Sequence, residues 1–185
     1  MATKHRIGRI ARIRYVVDPP PKGYVYPCAI EDIHEKLSSL PADMLRNISV
    51  IRLCNQVKMN RGIDAHIYDG SEIRIYPVPE KLRWNYGRNK PNPACAQERL
   101  EFGAYWQRID NEWFLCWDKD LLRDYVLNHI LIHEIGHSLD TTYYATSRGE
   151  QIAEAFAHRV GRNHEIIRRA KKRKKRLRRY GHANE

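Results

Sequence analysis

One short stretch of the chain combines residue types that can bind a metal ion and hydrolyse a bond. It reads His133-Glu134-Ile135-Gly136-His137, an H-E-x-x-H pattern. On a helix, residues four apart lie on one face with Cβ atoms about 5–6 Å apart, so both imidazoles can reach one zinc ion at bond lengths of about 2.0–2.1 Å. Glu134 lies beside the first histidine, where it can act as general base on a metal-activated water without ligating the ion. The pattern therefore predicts a hydrolytic zinc site.

A third zinc ligand is predicted in the segment 147–157, SRGEQIAEAFA, which follows the motif. Glu150 and Glu154 are four apart there and share a helix face. A catalytic zinc takes three protein ligands, and a ligating histidine usually donates its other ring N–H to a carboxylate. Both acids have a role if Glu150 is the ligand and Glu154 is the partner of a histidine. The two roles can also be exchanged. Ser147 and Glu150 also fit a capping box, which is a structural explanation for Glu150.

Together the two motifs resemble the catalytic domain of anthrax lethal factor and its small relatives, the Pro-Pro endopeptidases. These are gluzincins, zinc metalloproteases with an H-E-x-x-H motif and a glutamate as third ligand. The resemblance rests on HEIGHSLD at 133–140 and EQIAEAF at 150–156, and it covers about residues 129–157. Outside this stretch, only the chain length and the order of strands and helices are compatible with the family.

The resemblance implies roles for the acidic and aromatic residues. Glu150 would be the third zinc ligand, and Glu154 would support a ligating histidine. The family places a tyrosine seven residues before the ligand glutamate, where it helps to stabilise the oxyanion. That position is Tyr143 in this chain, with Tyr144 as the adjacent alternative. The resemblance also implies a protein or peptide substrate and suggests proline-containing peptides.

A helix that is itself fixed in the core must position the motif. This helix is predicted to begin near Asp118 or Asp120, since either residue is a good N-cap. Its apolar residues, from Leu121 to Leu139, predict that it is largely buried. His129 extends the row of the two motif histidines and is predicted to be structural or, at most, to support a ligand.

The rest of the chain predicts an α+β fold. The hydrophobic patterns predict an edge strand within 6–17, a helix at 29–40, a buried strand at 48–54, and hairpins at 66–76 and 103–117. Residues 77–99 contain four prolines and are predicted to form an irregular loop. This order fits a zincin-like plan, in which a small twisted mixed sheet packs on the H-E-x-x-H helix and a helical region follows. In such folds a sheet edge commonly pairs with an extended substrate.

Positive charge is concentrated at one end of the chain. The net charge is +11, and residues 168–185 hold 10 of the 33 Lys and Arg residues and 1 of the 22 acidic residues. The remaining 23 basic and 21 acidic residues leave +2 for residues 1–167. We therefore predict a metalloprotease domain at 1–167 and a basic tail at 168–185. The tail residues predicted to attract nucleic acid or another anionic surface through counterion release are Arg168, Arg169, Lys171, Lys172, Arg173, Lys174, Lys175 and Arg176.

The cysteines and the apolar segments bear on the cellular compartment. The four cysteines are widely spaced without a C-x-x-C pair, which predicts free thiols and suits a reducing compartment. The basic N-terminus lacks an apolar run of signal-peptide length, and no stretch is long enough to span a bilayer. We therefore expect a cytoplasmic protein, with export by another route left open.

Two classes of function follow from these features. The first is a zinc-dependent endopeptidase in which His133, His137 and Glu150 hold one zinc ion and Glu134 is the general base. The second is a basic nucleic-acid-binding or adaptor protein whose metal site is structural or vestigial. The presence of Glu134 favours the first class, because a structural metal site needs ligands but no general base.

Overall fold

The computed structural model describes residues 3–5, 13–57, 65–140, 146–161 and 172. In this part of the chain helices and mixed sheets form an α+β fold, which confirms the predicted class. The strands in chain order are β1 (Thr3–His5), β2 (Arg14–Val17), β3 (Tyr24–Val25), β4 (Val50–Leu53), β5 (Ala65–Tyr68), β6 (Glu72–Ile75), β7 (Val78–Pro79), β8 (Arg83–Gly87), β9 (Tyr105–Ile109) and β10 (Glu112–Cys116).

The largest sheet contains five strands in the order β1-β2-β4-β6-β5. Its three central strands run parallel, and the two outer strands, β1 and β5, are antiparallel to their neighbours. Strands β8, β10 and β9 form a second sheet with β10 in the middle, and β3 pairs with β7. The chain therefore places β5 at one edge of the main sheet.

Both predicted hairpins are confirmed. The first joins β5 to β6 through Asp69 and Gly70, whose φ angles are 47° and 65°. The second joins β9 to β10 through Asp110 and Asn111, with φ angles of 48° and 64°. The second loop has two residues, whereas the first also includes Ser71, whose N–H donates to the carbonyl of Tyr68 at 3.1 Å. Positive φ at two successive turn positions matches the right-handed twist of the strands.

Two sequence-based predictions were wrong. Strand β2 was predicted at a sheet edge, but it pairs with β1 on one side and β4 on the other; the rest of that prediction, residues 6–12, lies outside the described residues. The segment 77–99 was predicted to be a loop, yet it contains β7, β8 and the start of a helix. Pairing with β10 stabilises β8 despite the prolines on either side, and such a tertiary contact overrides weak local propensity.

One long helix carries the motif. The α-helices of the described residues are α1 (Ile30–Ser38), α2 (Gln97–Glu101), α3 (Lys119–Tyr125), α4 (Leu131–Leu139) and α5 (Ser147–Val160), with 3₁₀ turns at Ala42–Leu45 and Pro93–Ala96. A π turn at Val126–Ile130 connects α3 to α4 without a break. Asp118 is the N-cap of the long helix, as predicted, because its side chain accepts the N–H of Asp120 at 3.0 Å.

The main sheet has one apolar face and one charged face. Along β6, Ile73 and Ile75 are fully buried, whereas Glu72 and Arg74 alternate with them on the other side. On that side Glu72 accepts hydrogen bonds from Arg52 at 3.1 Å and from Arg74 at 2.8 Å. Helix α4 packs against β5 and β6 and is anchored by fully buried apolar residues, Leu131, Ile132 and Ile135. The motif helix is thus fixed beneath the edge of the sheet.

All four cysteines are free thiols, as predicted. Cys28, Cys54 and Cys116 are buried, and burial raises the pKa of each of these thiols, so they remain protonated and unreactive at neutral pH. Cys95 is exposed. None of the helices in the described part of the chain combines the length and apolarity that crossing a bilayer requires.

Candidate metal centre

Helices α4 and α5 bring three metal-binding side chains together. The Nε2 atoms of His133 and His137 are 3.1 Å apart. The carboxylate of Glu150 lies across them, with Oε2 3.3 Å from Nε2 of His133 and Oε1 3.4 Å from Nε2 of His137. Ligand atoms at about 2.05 Å from a tetrahedral zinc ion are separated by about 3.3 Å. The three side chains can therefore hold one ion, and the open side lies toward Glu150, which is 61% exposed.

A close approach between α4 and α5 makes this arrangement possible. Gly136, within the motif, faces Ala153 and Phe156 of α5. A Cβ atom at position 136 would lie 3.0 Å from the Cα of Ala153 and 3.3 Å from the Cβ of Phe156. Ala153 is itself fully buried. The two helices pack too closely for a larger residue at position 136, and this spacing places Glu150 within reach of both histidines.

We expect Gly136→Ala to weaken zinc binding because it pushes α5 away from α4. Overpacking of this kind costs about 1–3 kcal/mol of folding stability, whereas the better helix propensity of alanine contributes about 1 kcal/mol in the opposite direction. Isothermal titration with zinc and thermal unfolding of the metal-free protein would measure both effects. A more stable variant with unchanged zinc affinity would show that propensity alone matters and that the helix spacing does not control the site.

The N-cap of helix α5 lies one residue earlier than the predicted cap. Thr146 is the N-cap, and its side chain accepts the N–H of Gly149 at 3.1 Å. Ser147 is the first residue of the helix, so the alternative explanation of Glu150, a capping box with Ser147, does not apply. The carboxylate of Glu150 points toward the histidines instead, as the distances above show.

Glu154 lies one turn after Glu150 and reaches the other nitrogen of His133. Its Oε2 atom is 3.4 Å from Nδ1 of His133, and its Oε1 atom is 2.6 Å from Nε2 of His158. Glu150 thus faces the Nε2 atoms of both motif histidines, while Glu154 faces an Nδ1 atom. A carboxylate at Nδ1 fixes the tautomer in which Nε2 presents its lone pair to a metal. This placement is the one expected for Glu150 as ligand and Glu154 as partner.

Glu134 is directed at the edge of the main sheet. Only 7% of its surface is exposed, and its Oε2 atom accepts the backbone N–H of Ile67 at 2.8 Å. Ile67 belongs to β5, the outermost strand on that side of the sheet. The buried carboxylate of Glu134 therefore joins α4 to the edge strand β5.

The surroundings of His137 favour the neutral imidazole. Burial lowers its pKa, and the neighbouring His133 lowers it further, while Glu150 acts in the opposite direction. The neutral ring can offer a lone pair to a metal at neutral pH. His66 in β5 also lowers the pKa of His137, so its imidazole is near the site. Sequence reasoning missed His66, because it belongs to no motif and approaches only through the docking of β5 against α4.

A second group of side chains also has the composition of a metal site. It consists of Glu98 from α2, His129 from the π turn and Glu154 from α5. His129 is 2% exposed, which agrees with the predicted burial of this helix, and its role as a structural or supporting residue stays a prediction. No sequence motif indicated Glu98, which lies in the segment predicted to be a loop.

The other predicted site residues lie outside the described residues. This applies to Tyr143 and Tyr144, and to the tail candidates Arg168, Arg169, Lys171, Arg173, Lys174, Lys175 and Arg176. Lys172 is described and is exposed. The roles assigned to these residues therefore remain predictions from the sequence.

Comparisons with protein-family profiles, with curated proteins and with solved structures found no match to this chain.

Proposed function

We propose that this chain is a zinc-dependent endopeptidase. The observation that carries the proposal is the grouping of three side chains: the Nε2 atoms of His133 and His137 lie 3.1 Å apart, and the two carboxylate oxygens of Glu150 lie 3.3 and 3.4 Å from them. His133, His137 and Glu150 would hold one zinc ion, and Glu154 would orient His133. Two histidines with one glutamate form a known catalytic zinc set that leaves a fourth position for water.

The arrangement of sheet and helix supports a zincin-like fold and an extended substrate. Strand β5 is the edge strand of the described sheet and lies directly beside the motif helix. A peptide in extended conformation would pair with this edge and add a strand to the sheet. The contact between Glu134 and Ile67 of β5 would then place the scissile bond next to the catalytic carboxylate.

When bound, zinc would lower the pKa of a water toward about 7 and polarise the scissile carbonyl. The carboxylate of Glu134 would take a proton from this water as it attacks the carbonyl carbon, and would then deliver the proton to the leaving amine. Burial of Glu134 limits competing water around the base. Tyr143, or Tyr144, would donate a hydrogen bond to the oxyanion, in the role that the resemblance implies.

The alternative, a binding protein with a structural metal site, is less well supported. Structural zinc sites are closed by four protein ligands, whereas the group around His133 has three among the described residues, with Glu150 largely exposed. A structural site also has no use for Glu134, whose buried carboxylate would otherwise be a costly neighbour for the apolar core.

Cleavage of a peptide library would test the proposal. Peptides of varied sequence, including proline-rich ones, would be incubated with zinc-loaded protein, with chelated protein and with protein resupplied with one equivalent of zinc, and products identified by mass spectrometry. We expect cleavage of internal peptide bonds that is lost with the chelator and restored by zinc. A His137→Ala preparation purified in parallel controls for contaminating proteases. A folded, zinc-loaded protein that cleaves none of the peptides would contradict the proposal.

A further inference from the structure

His129 shares a carboxylate with the metal-binding histidine that follows it on the helix. Its Nε2 atom is 2.9 Å from Oε2 of Glu98 and 3.3 Å from Oε2 of Glu154. The same Oε2 atom of Glu154 is 3.4 Å from Nδ1 of His133. One carboxylate oxygen therefore lies between a fully buried imidazole and a ligand of the candidate metal centre.

Two chemistries could explain this contact: a second metal ion on Nε2 of His129, or an N–H donated from that atom. A metal on Nε2 would require the proton on Nδ1, and ligating histidines nearly always give that N–H a partner. In the described part of the chain, Nδ1 of His129 is buried without a hydrogen-bond partner, and an orphaned N–H is rarer than an orphaned acceptor. The proton therefore belongs on Nε2.

The distances agree with a donated hydrogen. The separation of 2.9 Å between Nε2 of His129 and Glu98 is the usual length of an N–H···O hydrogen bond. It is shorter than the spacing of about 3.3 Å between two ligand atoms on a tetrahedral zinc ion. The N–H of His129 is thus shared between Glu98, which is closer, and Glu154.

Aromatic neighbours fix the ring of His129 in this orientation. Tyr125 stacks on it with ring centroids 5.5 Å apart and planes 11° apart, and Trp117 stacks on Tyr125 at 5.1 Å. Phe102 lies on another side, with ring centroids 5.5 Å apart. The hydroxyl of Tyr125 donates to Oε1 of Glu98 at 2.5 Å, which holds that carboxylate as well. His129 also lies in the π turn, a helix irregularity that is frequent at functional sites.

We propose that His129 is a positioning residue whose Nε2–H holds Glu154 in place to accept the Nδ1–H of His133, so that Nε2 of His133 points at the metal. This inference rests on the proposed metal centre and adds a supporting residue to it. His158 contacts the opposite oxygen of Glu154 at 2.6 Å, but its side chain is 42% exposed, and an exposed pair contributes little. The buried contact from His129 is therefore the one that fixes the carboxylate.

Zinc affinity of variants at position 129, measured by competition with a chromogenic chelator, tests this role. His129→Leu fills the aromatic enclosure but has no donor, and we expect zinc affinity to fall about 10- to 100-fold, the range for residues that support a ligand. In His129→Asn the side chain is polar but too short to reach Glu154, so zinc affinity should fall by the same factor. In His129→Gln the amide N–H can reach the position of Nε2, so affinity should return close to that of the wild type.

The controls separate this role from a purely structural one and from a second metal site. His158→Ala should change affinity by at most a few-fold, as expected for an exposed pair. The positioning role would be overturned if His129→Leu and His129→Asn bound zinc as tightly as the wild type. It would also be overturned if His129→Gln bound zinc as weakly as His129→Leu. Two zinc ions per chain in the wild type and one in His129→Gln would overturn the positioning role in favour of a second metal site. A wild type that binds no zinc would refute the proposed metal centre itself, and with it this inference.

Discussion

Glu134→Gln is expected to bind zinc as the wild type does and to cleave peptides about 100- to 10,000-fold more slowly, the range that general base catalysis contributes. Glutamine has nearly the same shape as glutamate, and its carbonyl oxygen can still accept the N–H of Ile67, which Glu134 accepts at 2.8 Å. The link between α4 and β5 is thereby kept. The amide cannot accept a proton from the attacking water, so only the chemical step is affected.

The measurement combines kcat on a peptide identified from the library with zinc content and thermal unfolding. Glu35→Gln is a matched control, because Glu35 is an exposed helical glutamate in α1. Its activity should equal that of the wild type. If Glu134→Gln keeps its zinc and cleaves at the wild-type rate, the peptidase proposal fails, because the proposed mechanism assigns the proton transfer to Glu134.

Glu150→Ala is expected to lose zinc under dialysis, whereas Glu154→Ala is expected to keep it with an affinity about 10- to 100-fold lower. The difference follows from the two contacts. Glu150 faces the Nε2 atoms of both motif histidines, so its removal leaves an ion with only two protein ligands. Glu154 faces Nδ1 of His133, so its removal frees the ring to turn without removing a ligand.

Elemental analysis after dialysis, followed by chelator competition for the variants that keep zinc, would measure both effects. Gln151→Ala is the matched control, because Gln151 is exposed on the same helix between the two acids. The reverse pattern, with zinc lost in Glu154→Ala and weakened in Glu150→Ala, would exchange the two roles while leaving the peptidase proposal intact.

The parts of the fold that depend on neighbouring residues could be predicted from the sequence. Asp69-Gly70 specified a hairpin turn because few other residues tolerate two successive positive φ angles. Asp118 and Asp120 indicated the start of the long helix, because an aspartate side chain can accept a free N–H of the first turn, and Asp118 is the cap. Both signals act within four residues, and both predictions are confirmed.

Features that depend on distant partners could not be predicted. The place of β2 within the sheet is decided by β1 and β4, and β8 forms only through its pairing with β10. The candidate site shows the same division. The spacing of the motif predicted that His133 and His137 share a helix face, but Glu98 and His66 reach the site from separate elements that no local pattern connects to it.

The chain order of the site also determines when catalysis could begin during synthesis. Synthesis proceeds from the N-terminus, so β5 and the two motif histidines leave the ribosome before Glu150 does. Until α5 is available, a nascent chain would offer zinc two histidines and no third ligand. The proposed protease would therefore stay inactive until the last segment of the site has been translated.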